Sequence, residues 1–238
     1  AQKEGYNAFS WWLPDQIAEL CVFSLKHNIE TVFVNKLIQK FDLSPPDIDS
    51  VSSAWPFVIR IETLGSFKIC IDNQPMQFTS KAQRRPVDLI KALISLGGRG
   101  VSSDRLSEVL WPDADGDSAA RSLQTTIHRA RKLLQYDNAI EVKQGLISLN
   151  PELVWVDVYA LQKLLKIIRY TKEETLSDLA NDILKLYQGS FLEYEAEESW
   201  TISLRENIRG RMLKGLQTLA ERLRSIGEKN IVRNLYEV

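Results

Sequence analysis

Apolar positions along the chain change period several times, and each change marks an element. Residues 14 to 27 carry Ile17, Leu20, Cys21 and Leu25 at helical spacing behind Pro14, a residue suited to a first helical turn. A second helix is predicted over roughly Glu30 to Lys40, with Phe33, Val34, Leu37, Ile38 and Phe41 apolar, and it stops before Ser44-Pro45-Pro46. Two helices joined by a short turn bury little alone. Their faces and the Trp11-Trp12 pair are therefore expected to pack against a neighbouring or upstream part, with an aromatic ligand pocket as the sharper reading of the Trp pair. Residues 1–50 read as a helical N-terminal segment, and Asp47 to Pro56, rich in Asp, Ser and Pro, as a linker.

Beyond the linker the period falls to two. Val58, Arg60 and Glu62 alternate with Ile59 and Ile61, and Phe67, Ile69 and Ile71 with Lys68 and Cys70, which predicts two half-buried strands. A turn at Asp72-Asn73-Gln74-Pro75 and a third strand over Met76 to Thr79 complete a small antiparallel meander. Helical spacing then returns. Residues 86 to 96 form a core helix stopped by Gly97-Gly98, and Ser102 or Ser103 caps a helix that runs to Trp111 and is ended by Pro112. Asp117 to Gln135 is the longest amphipathic stretch of this half, with Asp117 or Ser118 as its cap. Leu123, Ile127, Ala130, Leu133 and Leu134 gather on one side, while Arg121, Ser122, Gln124, Thr125, His128, Arg129, Arg131 and Lys132 face the other. Ala139 to Leu149 closes the region as a hairpin around Lys143-Gln144-Gly145.

The remainder is helical throughout: Val156 to Ile168, Leu176 to Tyr187, and a long helix from about Ser199 whose stripe runs Leu204, Ile208, Met212, Leu216, Leu219, Ala220 and Leu223. Gly227 breaks it before Ile231, Leu235 and Tyr236, so that helix, glycine turn and helix resemble a tetratricopeptide unit. The predicted class is α+β, a winged helix-turn-helix with an N-terminal antiparallel sheet over 56–150, followed by an all-α tetratricopeptide-like domain over 151–238. The chain opens without Met and its last periodic stretch runs to Val238, as expected of a piece of a longer protein.

Charge is distributed unevenly. The net charge is only −1, yet residues 118–134 hold four bases and no acid, whereas eight acids face Lys172 and Lys185 between Thr171 and Trp200. A local positive surface is thus compatible with a neutral total. No run reaches the roughly 20 apolar residues of a membrane span, so a cytoplasmic protein without a membrane partner is expected. Cys21 and Cys70 lie far apart among apolar neighbours, which suits reduced core thiols, and His27 and His128 are the only histidines. Asp113-Ala114-Asp115-Gly116-Asp117 mimics a calcium loop, but its glycine falls too early and Gln124 replaces the bidentate acid. No metal or cofactor is expected. No acid pair or His/Ser/Cys set adjoins a strand end or glycine-rich loop, so an enzyme is not predicted either.

Several motifs resemble a known family. Ile61-Glu62-Thr63-Leu64-Gly65-Ser66-Phe67, Leu106 to Pro112, Ala120 to Gln124 and Ile127 to Leu134 are similar to the antibiotic-regulatory-type transcriptional activators of bacteria. These join a response-regulator-type winged helix to a bacterial transcriptional activator domain. Leu186-Tyr187-Gln188-Gly189-Ser190-Phe191-Leu192, Trp200 and Leu204-Arg205-Glu206 resemble the opening of that second domain, and the likeness covers roughly Val58 to Val238. The family's activator domain is longer, so the chain would end within a helix pair, and no receiver aspartate or P-loop is evident.

The resemblance implies a sequence-specific DNA-binding regulator, with double-stranded promoter DNA as partner, RNA polymerase as a further candidate and repeated half-sites suited to a homodimer. Gln124, Thr125 and His128 are the expected readers of base edges, joined by Ser122 and by Arg121 or Arg129 reaching guanine. Arg84, Arg85, Arg121, Arg129, Arg131, Lys132 and the hairpin's Lys143 are the expected phosphate contacts. The alternative is a protein-interaction module whose winged helix is a scaffold, with binding carried by residues 156–238. The acidic stretch Glu193 to Glu198 is either a polymerase-contacting surface or an ordinary solvated loop.

Overall fold

The computed structural model describes residues 13–46, 55–78, 83–195 and 198–236. Trp11, Trp12, most of the expected linker, Thr79 and Glu197 lie outside the described residues. The chain divides into two compact units, Ala1–Val58 and Ile59–Val238. In the first, α1 (Pro14–Lys26) starts with proline in its first turn, where the missing N–H would have had no partner anyway. It packs on α2 (Thr31–Lys40), burying Ile17, Ala18, Cys21 and Leu25 along with Val34, Leu37 and Ile38. Leu20, expected on the buried face, is 62% exposed. That face centres between Ala18 and Leu25, and the helical turn carries Leu20 past its edge.

The second unit begins with β1 (Ile59–Glu62) and β2 (Lys68–Ile71), antiparallel with Ile59 opposite Ile71 and Ile61 opposite Ile69. Asp72 and Asn73 both take positive φ, at 48° and 62°, which is the two-residue turn that matches strand twist. The chain therefore returns at once: β3 is Gln74–Pro75, and Met76 adds only its N–H, 2.8 Å from the Ile69 carbonyl. The strand expected over Met76 to Thr79 starts two residues early and is short, because Pro75 has no donor to extend the ladder.

A larger departure lies at the other edge of this sheet. The strand order is β3-β2-β1-β7, where β7 (Val154–Val156) runs parallel to β1 with Ile59 opposite Val154 and Ile61 opposite Val156. The sheet is mixed, not wholly antiparallel as expected. Val-Trp-Val is a β-branched and aromatic triplet buried at all three positions, and pairing with β1 satisfies backbone groups that a helix start would leave open.

Between β3 and β7 lie α3 (Arg84–Ser95), β4 (Val101–Ser102), α4 (Ser103–Leu110), α5 (Gly116–Leu134) and the hairpin of β5 (Ile140–Lys143) and β6 (Leu146–Leu149). α3 is the core of this half, with Val87, Leu89, Ile90, Ala92, Leu93 and Ile94 buried against α4, α5 and β6. β4 pairs with β6 and β6 with β5, so a second, three-stranded sheet carries the hairpin.

The helical part comprises α6 (Asp157–Ile167), α7 (Leu176–Leu186), α8 (Ser199–Ser225) and α9 (Lys229–Leu235). α8 buries Ile208, Met212, Leu219, Ala220 and Leu223 as its stripe predicts, while Leu204 and Leu216 are half-buried. Among the described residues no helix is long and apolar enough to cross a membrane.

The helical part is stitched to the first sheet by polar groups far apart in sequence. The Asp157 carboxylate accepts from the Thr63 N–H (2.7 Å), the Thr63 hydroxyl (2.6 Å), the Leu64 N–H (2.9 Å) and the Val158 N–H (2.7 Å). Burial pushes this carboxyl above its usual range, and those four hydrogen bonds oppose the shift. Beside it, the Leu192 N–H donates to the Thr63 carbonyl at 2.7 Å and the Gly65 N–H to the Ser190 carbonyl at 2.9 Å. The Ile61–Phe67 and Leu186–Leu192 motifs are therefore each other's partners. Gly65, at φ 89°, is required there, since a Cβ would stand 3.1 Å from the Gln188 carbonyl oxygen. Lys91, buried on α3, pairs with Glu195 and lies 4.7 Å over the Phe67 ring, and the Tyr159 hydroxyl donates to the Ile94 carbonyl at 2.8 Å.

Candidate nucleic-acid interface

α5 owes its start to Asp115, whose carboxylate accepts from the Ser118 N–H at 3.0 Å. The cap is thus neither Asp117 nor Ser118, the two expected; Asp117 instead lies in the first turn where an acid suits the helix dipole. The same hydrogen bond holds the Asp115 carboxyl below its usual range. At the far end Gln135 takes a left-handed conformation, φ 62°, and ends the helix.

Between these ends one face is buried and one is bare. Ala119, Leu123, Thr126, Ile127, Ala130 and Leu134 point inward to α3 and α4. Arg121, Gln124, Thr125, His128, Arg129 and Lys132 are all exposed. Their spacing of three, four, seven, eight and eleven residues from Arg121 lines them up along the helix axis. None forms an ion pair with a described residue. The bonds they make are local: the Arg121 Nε donates to the Asp117 carbonyl at 3.2 Å, and the Thr125 hydroxyl to the Arg121 carbonyl at 3.0 Å. Those contacts hold the two side chains along the helix while leaving the other guanidinium donors and a hydroxyl lone pair outward.

The other residues singled out from sequence fall elsewhere. Ser122 is half-buried at the edge of the stripe, and its carbonyl accepts the Thr126 hydroxyl at 2.7 Å. Arg131 turns toward the hairpin, where Nε and an NH2 donate to the Ile140 carbonyl at 2.9 and 2.7 Å. This fork ties the end of α5 to the first residue of β5. Lys143 is exposed at the hairpin tip and pairs with Glu141 at 2.5 Å. The tip itself is a turn through Gln144 and Gly145, at φ 52° and 76°. Arg84 extends into solvent 4.0 Å from Asp88, whereas Arg85 donates to the Leu110 carbonyl at 3.4 Å and so closes the end of α4.

α4 is capped by Ser102, which accepts from the Arg105 N–H at 3.3 Å. Arg105 is exposed in that first turn and makes no ion pair with a described residue. Sequence reading passed over it because a single base in a short helix carries no pattern; its place one turn beyond a serine cap was the available signal.

No family model and no curated protein matches the chain. Among solved structures, EmbR of Mycobacterium tuberculosis, determined in complex with a low affinity phosphopeptide, shares the fold at a TM-score of 0.56 and 17% sequence identity. The match covers 74% of this chain and 48% of that one, so the chain spans about half the length of the structure it resembles.

Proposed function

We propose that the chain is a sequence-specific DNA-binding transcriptional regulator, of the antibiotic-regulatory type and acting as an activator. The observation that carries this reading is the bare stripe Arg121-Gln124-Thr125-His128-Arg129-Lys132, with α3 and α4 packed behind it and a hairpin beside it. That order is a winged helix-turn-helix, in which α4 braces, α5 enters the major groove and the β5–β6 hairpin is the wing. The fold shared with EmbR supports the architecture on which this reading rests.

In this mechanism Gln124, Thr125 and His128 meet base edges and Ser122 flanks them, while Arg121 and Arg129 reach guanine or phosphate. Lys132, Lys143, Arg84 and Arg105 neutralise phosphates on either side. Arg131 and Arg85 act as positioning residues, because their guanidinium groups are engaged with the Ile140 and Leu110 carbonyls. The helical part, whose α8-turn-α9 unit is tetratricopeptide-like, contacts partners, RNA polymerase among them, and repeated half-sites bring two copies together in the cytoplasm.

Selection from a random duplex library followed by a salt titration tests the reading. A single enriched motif is expected, with log affinity falling against log salt by about 0.9 per phosphate neutralised. No enrichment together with a flat titration overturns it and favours the protein-interaction module, for which Ile202 and Leu213, half-exposed apolar residues of α8, are the supporting observation.

A further inference from the structure

A second concentration of positive charge lies away from α5, where α6 ends against the middle of α8. Lys166, Arg169 and Tyr170 on one side and Arg211, Lys214 and Thr218 on the other enclose a cavity of about 380 Å³ floored by Leu165, Ile168 and Gly215. No acid lines it. The floor exists because α8 has glycine at 215, since a Cβ there would lie 2.7 Å from Leu165 Cδ2. The helices meet closely at that point and leave the hollow beside it.

Cations at a helix C-terminus commonly serve only to satisfy its last carbonyls. Here that task falls to other groups. Arg222 donates to the Ile168 carbonyl and, at 2.6 Å, to the Thr171 carbonyl, and Arg211 spends one nitrogen on the Gln162 carbonyl at 3.3 Å. Lys166, Arg169 and Lys214 remain without an ion pair to any described residue. The arrangement is a concave, partly apolar floor with several convergent donors, of a size within the roughly 300–1,000 Å³ of small-ligand sites. The Thr218 hydroxyl is spent on the Lys214 carbonyl at 3.0 Å, but three uncommitted cations and the Tyr170 hydroxyl at one mouth match a compact ligand of charge −2 or more better than a neutral one.

We propose that the α6–α8 cavity binds a small organic oxyanion of multiple charge, a phosphate ester or a polycarboxylate on a compact body, as an effector of the chain, the effector role resting on its reading as a regulator. Lys166, Arg169 and Lys214 hold its charge, Tyr170 donates at the rim, and Leu165 and Ile168 receive the apolar part. α6 begins at Asp157, the residue that holds the Thr63-Leu64 turn, so an occupant at the far end of α6 acts on an element anchored to the β1 side of the first sheet.

The test uses the full chain without DNA, with inorganic pyrophosphate and citrate as separate probes titrated calorimetrically at constant ionic strength. Saturable binding of one stoichiometric equivalent of either probe is expected, pyrophosphate alone marking a phosphate site and citrate alone a carboxylate site. Arg169→Ala with Lys214→Ala should weaken it by at least about tenfold, the loss of a charge-assisted bond. Both side chains are exposed and hold no carbonyl, so circular dichroism should be unchanged. No saturable binding of either probe overturns the proposal. So does binding that the double variant leaves intact.

Discussion

The bare stripe of α5 and the seam around Asp157 are built from similar residue types and put to opposite uses. On α5 the charged and amide groups face solvent with almost no tertiary partners, so their substitution should alter binding and leave stability alone. At the seam, a carboxylate 4% exposed accepts four hydrogen bonds, three of them from backbone, and a buried lysine pairs with Glu195. There a polar group holds the fold. The difference shows that partners, and not residue type, decide which charges are available for recognition.

The contrast is sharpest at Asp157. Asp157→Ala leaves the Thr63, Leu64 and Val158 N–H groups buried and unpaired, and should cost about 3–5 kcal/mol in urea denaturation. A loss below about 1 kcal/mol would mean the seam is incidental. Next in size is Arg121→Ala with Arg129→Ala, expected to weaken operator affinity about a hundredfold and flatten the salt slope while shifting unfolding by no more than about 0.5 kcal/mol. If that variant unfolds instead, the stripe is structural and the comparison fails.

A smaller effect is expected at Gly65, where alanine must hold a positive φ against the Gln188 carbonyl, a strain of about 1–3 kcal/mol visible as a lower thermal midpoint with unaltered DNA contacts. The smallest concerns Asp115. Its carboxyl is held below the ordinary value, so the cap's contribution is present above the unfolded aspartate pKa of about 3.9 and is lost as pH falls through the lower folded value. The thermal midpoints of the native chain and Asp115→Ala should therefore differ at pH 7 and converge in acid. A gap that persists at low pH would show that the cap does not act through charge.

Most helices were legible because each keeps one apolar stripe over two or more turns, and α5 most of all, since its stripe and its bare face are both unbroken. The exposed members Arg121, Gln124, Thr125, His128, Arg129 and Lys132 follow from period alone. Arg131 does not, because period sets it on the same bare face while its carbonyl partner at Ile140 belongs to an element nine residues on. β7 escaped for a related reason: three apolar residues abutting a helix have no period to display, and their partner strand lies about 95 positions earlier. Asp157 looked like an ordinary acid in a first helical turn. Short-range pattern reports which face is buried, and is silent on which distant backbone group fills a carboxylate.

The parallel pairing of β1 with β7 also sets a clock. At ribosomal speeds of about 5–20 residues per second, the interval between the emergence of Ile59 and that of Val154 is about 5–20 s, during which one edge of the nascent sheet has no mate. Any chaperone or aggregating neighbour that captures this sheet has that window, and it closes only when Val-Trp-Val leaves the exit tunnel.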